Sequence, residues 1–287
     1  MGISNRLAVC NELFRGVPFG QVCKQVHALG YNGLEIAPFT LGDDPASLSV
    51  GQRQEYRDAM AGEGLEFVGL HWLLAAPEGL HVTTRDEAVR RRSWDYVHRL
   101  IDLCADLAGP EEAGKGVLVF GSPKQRSTTE GMTPREAKDV LAHGLAHAAP
   151  MAESRSVKIL LEVLSPDQTD VVNCLGEAVT IVKSIGSRAV QTMFDTHNAV
   201  AEKDIHADLI RRYSQYIQHV HINENDGREP GTGDYDFASL LNALAEIGYP
   251  GWVSLEVFDF SRDPQEVAKR SLEHLQNFLP EPELSTL

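Results

Sequence analysis

Residues 189–222, AVQTMFDTHNAVAEKDIHADLIRRYSQYIQHVHI, contain two short apolar runs separated by a longer stretch with helical periodicity. The first run ends at Asp195 and the second at Ile222. A strand, a helix and a second strand in succession are typical of a parallel βαβ unit. The polar residues near the ends of the two runs, Asp195 and His221, would then lie at the same edge of the sheet.

The same alternation continues along the whole chain, with eight apolar runs and a helical stretch after each, from Phe19–Leu29 to Pro264–Phe278. Gly30 and Gly248 stand where helices would end, and Pro134, Asp236 and Asp263 stand where helices would begin. This pattern predicts the α/β class and a (β/α)8 TIM barrel, with residues 1–287 as a single domain. The count alone leaves a doubly wound sheet open. The predicted strands are Arg6–Cys10, Gly33–Ala37, Leu65–His71, Gly116–Gly121, Val157–Val163, Ala189–Asp195, Tyr216–Ile222 and Trp252–Val257.

Acidic residues outnumber basic ones, with 41 Asp and Glu against 26 Lys and Arg and a formal charge of −15. This balance repels phosphate polymers, so nucleic acid is not expected as a partner. No apolar stretch is long enough to cross a membrane and no basic leader precedes an apolar core, so we predict a cytoplasmic protein without a membrane partner. The cysteines form no CxxC pair, which favours reduced thiols. They are Cys10, Cys23, Cys104 and Cys174.

Four polar residues end the fifth to eighth apolar runs. In a TIM barrel the active site lies at the carboxyl ends of the strands, so four neighbouring strands would bring these side chains to one point. Three buried carboxylates need a cation in common, because an unpaired buried charge is strongly unfavourable. Oxygen and imidazole donors without cysteine favour one divalent ion, Mn²⁺ first, then Mg²⁺ or Co²⁺, with Zn²⁺ also open. The predicted metal ligands are Glu162, Asp195, His221 and Glu256.

Other polar residues near strand ends have weaker patterns. His219 and His221 face the same side of their strand, and we predict that His219 packs in the core while His221, nearer the tip, binds the ion. Glu35 ends the second run, and we interpret it as a hydrogen-bonding residue behind the ligands. His71 and Trp72 end the third run, where an imidazole could bond a sugar hydroxyl and an indole could cover a sugar face or simply cap the barrel.

Two cations follow the fourth run in the segment VFGSPKQR. Lys124 and Arg126 lie past a strand end in an otherwise acidic chain, so we predict that they hold a phosphate or carboxylate of the substrate. A solvated loop with two ordinary charges is the alternative.

Several segments spread over nearly the whole chain resemble the xylose isomerase-like barrel superfamily. The most similar members are ketose 3-epimerases of the tagatose and allulose epimerase type and hydroxypyruvate isomerases. The resemblance rests on GYNGLEIAP, the LLEV glutamate, FDTHN, HVHINEND with PGTGDYDF, and GYPGWVSLEVF.

This resemblance implies one divalent metal on the four ligands, and it implies that Glu162 and Glu256 also act as acid and base. It further implies that His197 binds the substrate. His197 lies two residues after the metal aspartate, whereas the matching histidine of the family more often lies three residues after it. Arg228 resembles a family substrate arginine displaced by one residue. Gln168 stands where the epimerases usually have a second glutamate that helps hold the substrate, so the resemblance implies substrate binding by Gln168 but departs here from the ketohexose 3-epimerase pattern.

The ligand set and the resemblance together predict a metal-dependent isomerase or epimerase of carbohydrate metabolism. The metal would hold a carbonyl and a neighbouring hydroxyl oxygen and stabilise the enediolate formed when the carbon between them loses its proton. Return of the proton to the opposite face gives an epimer, and return to the neighbouring carbon gives an isomer. The predicted partner is a small sugar-like substrate: a ketose, a sugar phosphate or a related hydroxycarbonyl compound.

Three other functions are weighed against this prediction. A metal-dependent lyase or dehydratase, similar to inosose dehydratases or C-glycoside-cleaving enzymes, would use the same ligands and then expel a leaving group. An apurinic-site endonuclease is disfavoured by the acidic balance. A non-catalytic partner subunit is disfavoured because buried metal ligands would serve no purpose in it. The sequence leaves a homo-oligomer open.

Overall fold

The computed structural model describes residues 6–109 and 116–279, and these residues form a closed barrel of eight parallel strands in chain order. The first strand pairs with the last, which closes the barrel. The predicted fold class is therefore confirmed, with strands one to three residues shorter than predicted. The extension of the domain to residues 1 and 287 stays a prediction. The strands are β1 Leu7–Cys10, β2 Gly33–Ile36, β3 Glu66–Leu70, β4 Val117–Phe120, β5 Lys158–Leu161, β6 Val190–Asp195, β7 Ile217–Ile222 and β8 Val253–Leu255.

A long helix follows each strand, as the alternation predicts. A short α-helix also lies between β4 and the long helix after it, where the sequence suggests a loop, and short 3-10 helices follow some of the strands. The helices are α1 Phe19–Leu29, α2 Val50–Gly62, α3 Glu87–Ala108, α4 Pro123–Arg126, α5 Pro134–Ser154, α6 Leu175–Ile185, α7 His206–Tyr213, α8 Phe237–Glu246 and α9 Pro264–Gln276.

Local sequence sets several of the helix ends. Thr133 begins α5 with a capping box, accepting a hydrogen bond from the main chain of Glu136 while the Glu136 side chain bonds back to Thr133. Asp236 and Asp263 cap α8 and α9 at the predicted positions. Each such cap contributes about 1 kcal/mol. Gly30 ends α1 with a φ of 100°, a left-handed conformation that glycine adopts without a steric penalty.

The core has two parts because strand residues alternate between the helices and the barrel interior. Leu118 and Phe120 of β4 belong to the large apolar cluster that also contains the buried faces of the helices. The intervening Val117 and Val119 pack instead with residues of β5 and β6 in a separate small cluster inside the barrel. Apolar side chains thus fill the lower barrel, and the polar side chains described below occupy its carboxyl end.

The register of the barrel shifts at two places, between Leu34 and Glu35 in β2 and between Thr192 and Phe194 in β6. Bulges of this kind change the direction in which the following side chains point, and they are common beside active sites. Here they precede Glu35 and Asp195, both of which are buried. In the described part of the chain, no helix is long and apolar enough to span a membrane.

Candidate active site

The structure brings four of the residues singled out from the sequence to one point at the carboxyl end of the barrel. Asp195 and His221 lie at the ends of β6 and β7, and Glu162 and Glu256 directly follow β5 and β8. One ligand atom from each of the four lies within 4.8 Å of the others. All four side chains are buried, and none exposes more than 5% of its surface. The four side chains therefore converge on one point beneath the protein surface.

The charges at this point fit a divalent cation. Burial, with Glu256 and Asp195 close by, raises the pKa of Glu162 to about 8. Burial also raises the pKa of Glu256. Three carboxylates share this point with one imidazole, and a divalent ion would supply the further positive charge that keeps the acids ionised. The donor set of three carboxylates and one imidazole suits such an ion.

Asn198 connects two of the four residues. Its side-chain Nδ2 donates to Glu162 Oε1 over 2.9 Å, and its main-chain N–H donates to Asp195 Oδ1 over 2.7 Å. The other side-chain atom, Oδ1, accepts a hydrogen bond from Gln168 Nε2 at 2.6 Å. Gln168 is thereby placed behind Asn198 and one hydrogen bond away from Glu162. Asn198 is 2% exposed, so its amide is held in a single orientation.

A second polar layer lies deeper in the barrel. Glu35 accepts hydrogen bonds from His221 Nε2 at 3.0 Å and from His219 Nε2 at 2.7 Å. Nδ1 of His221 consequently faces Glu256 Oε2 at 3.0 Å and Asp195 Oδ2 at 3.7 Å. His219 is packed in the core, as the sequence indicates. Glu35 bonds to His221 from behind the site, which is also the position that the sequence indicates.

His71 is completely buried and lies deeper than the sequence suggests. Its Nε2 is 2.8 Å from Oε2 of Glu12, which is also fully buried, in the turn after β1. The predicted hydrogen bond between His71 and a sugar hydroxyl would require His71 to reach the open part of the site. The structure places Glu12 beside it instead.

Aromatic rings from segments that follow β2, β3 and β8 form a wall at the carboxyl end of the barrel. Trp72 stacks against Phe258 with ring centroids 6.1 Å apart and an interplanar angle of 11°, and it also contacts Phe39. Trp72 has a φ of 50°, which is uncommon for a bulky residue and aims the indole at this wall. His197 lies against Phe258 at 5.3 Å, and its Nδ1 is 2.7 Å from the carbonyl oxygen of Asn225. With Nδ1 donating to that oxygen, Nε2 of a neutral His197 ring is an acceptor.

The three predicted cations have different surroundings. Arg228 is exposed and paired with Asp226, whose carboxylate lies 2.7 Å from its guanidinium. Lys124 is exposed on α4. Arg126 is fully buried, and its Nη1 donates to the carbonyl oxygen of Phe120. The alternative of a loop with two solvated charges is therefore wrong for Arg126, because its guanidinium packs beneath the end of β4.

The sequence interpretation missed three residues that the structure places at the site: Glu12, Asn198 and Phe258. Glu12 stands two residues beyond the first apolar run, and Phe258 stands two residues beyond Glu256. These residues could have been found by considering polar and aromatic residues that stand just after a predicted strand, in addition to those at its last position. Asn198 had the clearest one, because it directly follows His197 in FDTHN.

A closed eight-stranded parallel barrel with buried carboxylates at its carboxyl end defines a TIM-barrel protein with the architecture of an enzyme. The chain belongs to the xylose isomerase-like TIM barrel family, whose model matches residues 23–278. The family predicted from the sequence motifs is thus confirmed.

Named relatives support this assignment. L-ribulose 3-epimerase of Mesorhizobium japonicum is 26% identical over 230 residues, covering 79% of this chain and 73% of its own. A probable ketose 3-epimerase of Synechocystis is 27% identical over 239 residues, with 80% and 75% covered. A crystal structure of D-psicose 3-epimerase shares the fold, with a TM-score of 0.82 and 20% identity over 95% of this chain and 99% of the other. The prediction of an isomerase-type enzyme is therefore confirmed.

Proposed function

We propose that this protein is a divalent-metal-dependent epimerase that inverts the carbon next to the carbonyl group of a ketose or a related hydroxycarbonyl sugar. The observation that carries the proposal is the convergence of Glu162, Asp195, His221 and Glu256 at the carboxyl end of the barrel. Relatives named as ketose and L-ribulose 3-epimerases support the same reaction class. Mn²⁺ is the cation we expect, on the basis of the donor set.

These four residues would hold the cation. When bound, it would neutralise the negative charge that develops on the carbonyl oxygen as the neighbouring carbon loses its proton. Asn198 keeps the carboxylates of Glu162 and Asp195 in place, and Glu35 keeps His221 turned with Nδ1 toward the ligand point. The protein therefore supplies a site that needs little rearrangement during the reaction.

Glu162 and Glu256 would transfer the proton. They follow strands β5 and β8, which are separated by β6 and β7, so the two carboxylates approach the common point from different sides. One glutamate would remove the proton from one face of the carbon, and the other would return a proton to the opposite face. Proton return to the same carbon makes the product an epimer rather than an aldose.

The aromatic wall would set the outer boundary of the substrate site. Trp72 and Phe258 present ring faces suited to the C–H face of a sugar, and Nε2 of His197 could accept a hydrogen bond from a hydroxyl group. Gln168 would act on substrate position through Asn198. Lys124 and Arg228 are exposed and would reach only a substrate group that extends out of the barrel, such as a phosphate.

Exchange of substrate protons with solvent tests the proposal. Metal-free protein is loaded with Mn²⁺ and incubated with a panel of ketoses in D₂O, and products are followed by NMR. We expect deuterium at the carbon next to the carbonyl, together with the epimer, and no exchange without metal. A lyase would instead release a dehydrated or cleaved product. Absence of exchange and epimer with every ketose, in protein that binds Mn²⁺, would contradict the proposal.

Substitution of the two glutamates tests their roles. Glu162→Gln and Glu256→Gln keep an amide oxygen for the metal but lose the base, so we expect kcat to fall by about 10²-fold or more for each. Glu55→Gln is the matched control, because Glu55 is exposed on α2. Near-normal turnover in both site variants would place the acid and base elsewhere.

A further inference from the structure

We propose that the barrel contains a second divalent-cation site, formed by Glu12, His71 and Glu256. It would lie beside the four-residue centre and share Glu256 with it. This inference rests on the proposed function only in that a first cation occupies the neighbouring centre.

Strand order explains why these three residues meet. β1 pairs with β8, so Glu12, in the short 3-10 helix that follows β1, lies next to Glu256, which directly follows β8. His71 directly follows β3 on the same rim. One ligand atom from each of the three residues lies within 4.8 Å of the others. All three side chains are buried, with exposures of 0% for Glu12, 0% for His71 and 2% for Glu256.

Glu12 has an unsatisfied atom in this cluster. Its Oε2 is 2.8 Å from Nε2 of His71, but its Oε1 is buried and has no hydrogen-bond partner among the residues that the structure describes. A carboxylate oxygen without a partner in a site closed to solvent is unfavourable. A cation bound to Glu12 would satisfy it, whereas a simple hydrogen bond between Glu12 and His71 leaves it unpaired.

The balance of fixed charges points the same way. Seven carboxylates are buried at this end of the barrel, and the one buried Arg or Lys of the described residues is Arg126. Two of the seven have their own partners, because Glu224 accepts from the main-chain N–H groups of Gly231 and Tyr235, and Glu229 is paired with Arg262. A single divalent ion, Arg126 and one protonated histidine together carry four positive charges against the five that remain, and a second divalent ion would supply the missing charge. The remaining five acids are Glu12, Glu35, Glu162, Asp195 and Glu256.

The donors indicate which cation would bind and what it could do. Two carboxylates and one imidazole suit Mn²⁺, Co²⁺ or Zn²⁺. Two cations bridged by one carboxylate lie roughly 3.5–4 Å apart in known two-metal sites, a spacing that lets them hold two oxygen atoms of one substrate. The alternative is a protonated His71 paired with Glu12, without any metal.

Counting bound ions separates these alternatives. Metal-free protein is saturated with Mn²⁺, freed of excess, and measured by elemental analysis and by electron paramagnetic resonance. We expect two ions per chain and the multiline spectrum of a coupled pair. Glu12→Gln should retain one ion with the six-line spectrum of isolated Mn²⁺, and Asp195→Asn should retain the other. Glu55→Gln should behave like the wild type.

The outcomes distinguish this inference from the proposed function. One ion in the wild type, kept in Glu12→Gln and lost in Asp195→Asn, would overturn the second site and leave the first intact. A wild-type protein that binds no ion would overturn both. If circular dichroism shows that Glu12→Gln is unfolded, His71→Asn is used in its place. The electron paramagnetic resonance spectrum of the wild-type protein tests the second site without any variant.

Discussion

Replacing Asn198 with alanine would show how much the site depends on a residue that touches no reacting atom. In the native structure its amide donates to Glu162 Oε1 at 2.9 Å and accepts from Gln168 at 2.6 Å. Its main-chain N–H bonds to Asp195 Oδ1, and alanine retains that bond. Asn198→Ala therefore removes the side-chain support of Glu162 while leaving that of Asp195.

The expected magnitude follows from the kind of bond that is lost. A hydrogen bond to a charged acceptor contributes about 1.5–3 kcal/mol. Since about 1.4 kcal/mol corresponds to a tenfold change in an equilibrium constant, the Mn²⁺ dissociation constant should rise by about 10- to 100-fold. Gln168→Ala removes only the outer bond between neutral amides, so its effect should be smaller, at about 0.5–1.5 kcal/mol.

Isothermal titration with Mn²⁺ measures this effect directly, and kcat/KM for an accepted ketose should fall in parallel. Asn277→Ala is the matched control, because Asn277 is exposed at the end of α9 and bonds only to main-chain oxygens there. If folded Asn198→Ala binds Mn²⁺ within twofold of the wild type while Glu162→Gln binds it weakly, Glu162 does not depend on the amide and the reasoning is wrong.

Three further predictions concern stability, packing and substrate charge. The pKa of Glu162 is raised from its ordinary value of 4.5 to about 8, so its contribution to stability is present below about pH 4.5 and is lost as pH rises toward 8. The Tm of metal-free protein should therefore fall between pH 6 and pH 8.5, and Mn²⁺ at about 100 times its dissociation constant should add about 2.7 kcal/mol at either pH; a Tm that rises over this range would contradict the assignment. Gly121→Ala should weaken Mn²⁺ binding at least about tenfold in titration, because a Cβ there would lie 2.0 Å from Glu162 Oε2; unchanged binding would mean that Glu162 can move aside. Lys124→Ala should lower kcat/KM for phosphorylated relative to neutral sugars if Lys124 binds a phosphate, and an unchanged ratio would leave it a surface charge.

The barrel could be predicted from the sequence because its strands are buried on both faces. Such strands consist of short apolar runs, and those runs have the clearest boundaries in this chain. The largest errors, of two residues, lie at the carboxyl ends of β5 and β8. β5 ends at Leu161, although the run was predicted to extend to Val163, because Glu162 already turns toward the site. Where a polar side chain enters the site, the regular hydrogen bonding between strands ends. The hydrophobic periodicity of the sequence does not show at which residue this happens.

Residues that act from outside the strands could not be found in this way. Glu12 follows β1 in a short 3-10 helix, where an acidic residue is ordinary in any helix start. Its burial beside His71 depends on strands β1 and β3 being close in the closed barrel, which local pattern does not specify. The same reasoning applies to Arg126. Its sequence context resembles a solvated loop, but in the structure it lies on α4 and is buried beneath the end of β4.

Glu35, a single acid in an apolar run, orients a histidine at the site without being one of the four predicted metal ligands. One carboxylate oxygen accepts from Nε2 of His219 and the other from Nε2 of His221, so neither nitrogen remains free to turn outward. Because Nε2 of His221 is engaged in this bond, Nδ1 is the atom directed at Asp195 and Glu256. A histidine ligand needs this fixed choice between its two nitrogens. The register of β2 shifts directly before Glu35, and Glu35 is buried below the site. This buried acid determines which nitrogen of His221 faces the site.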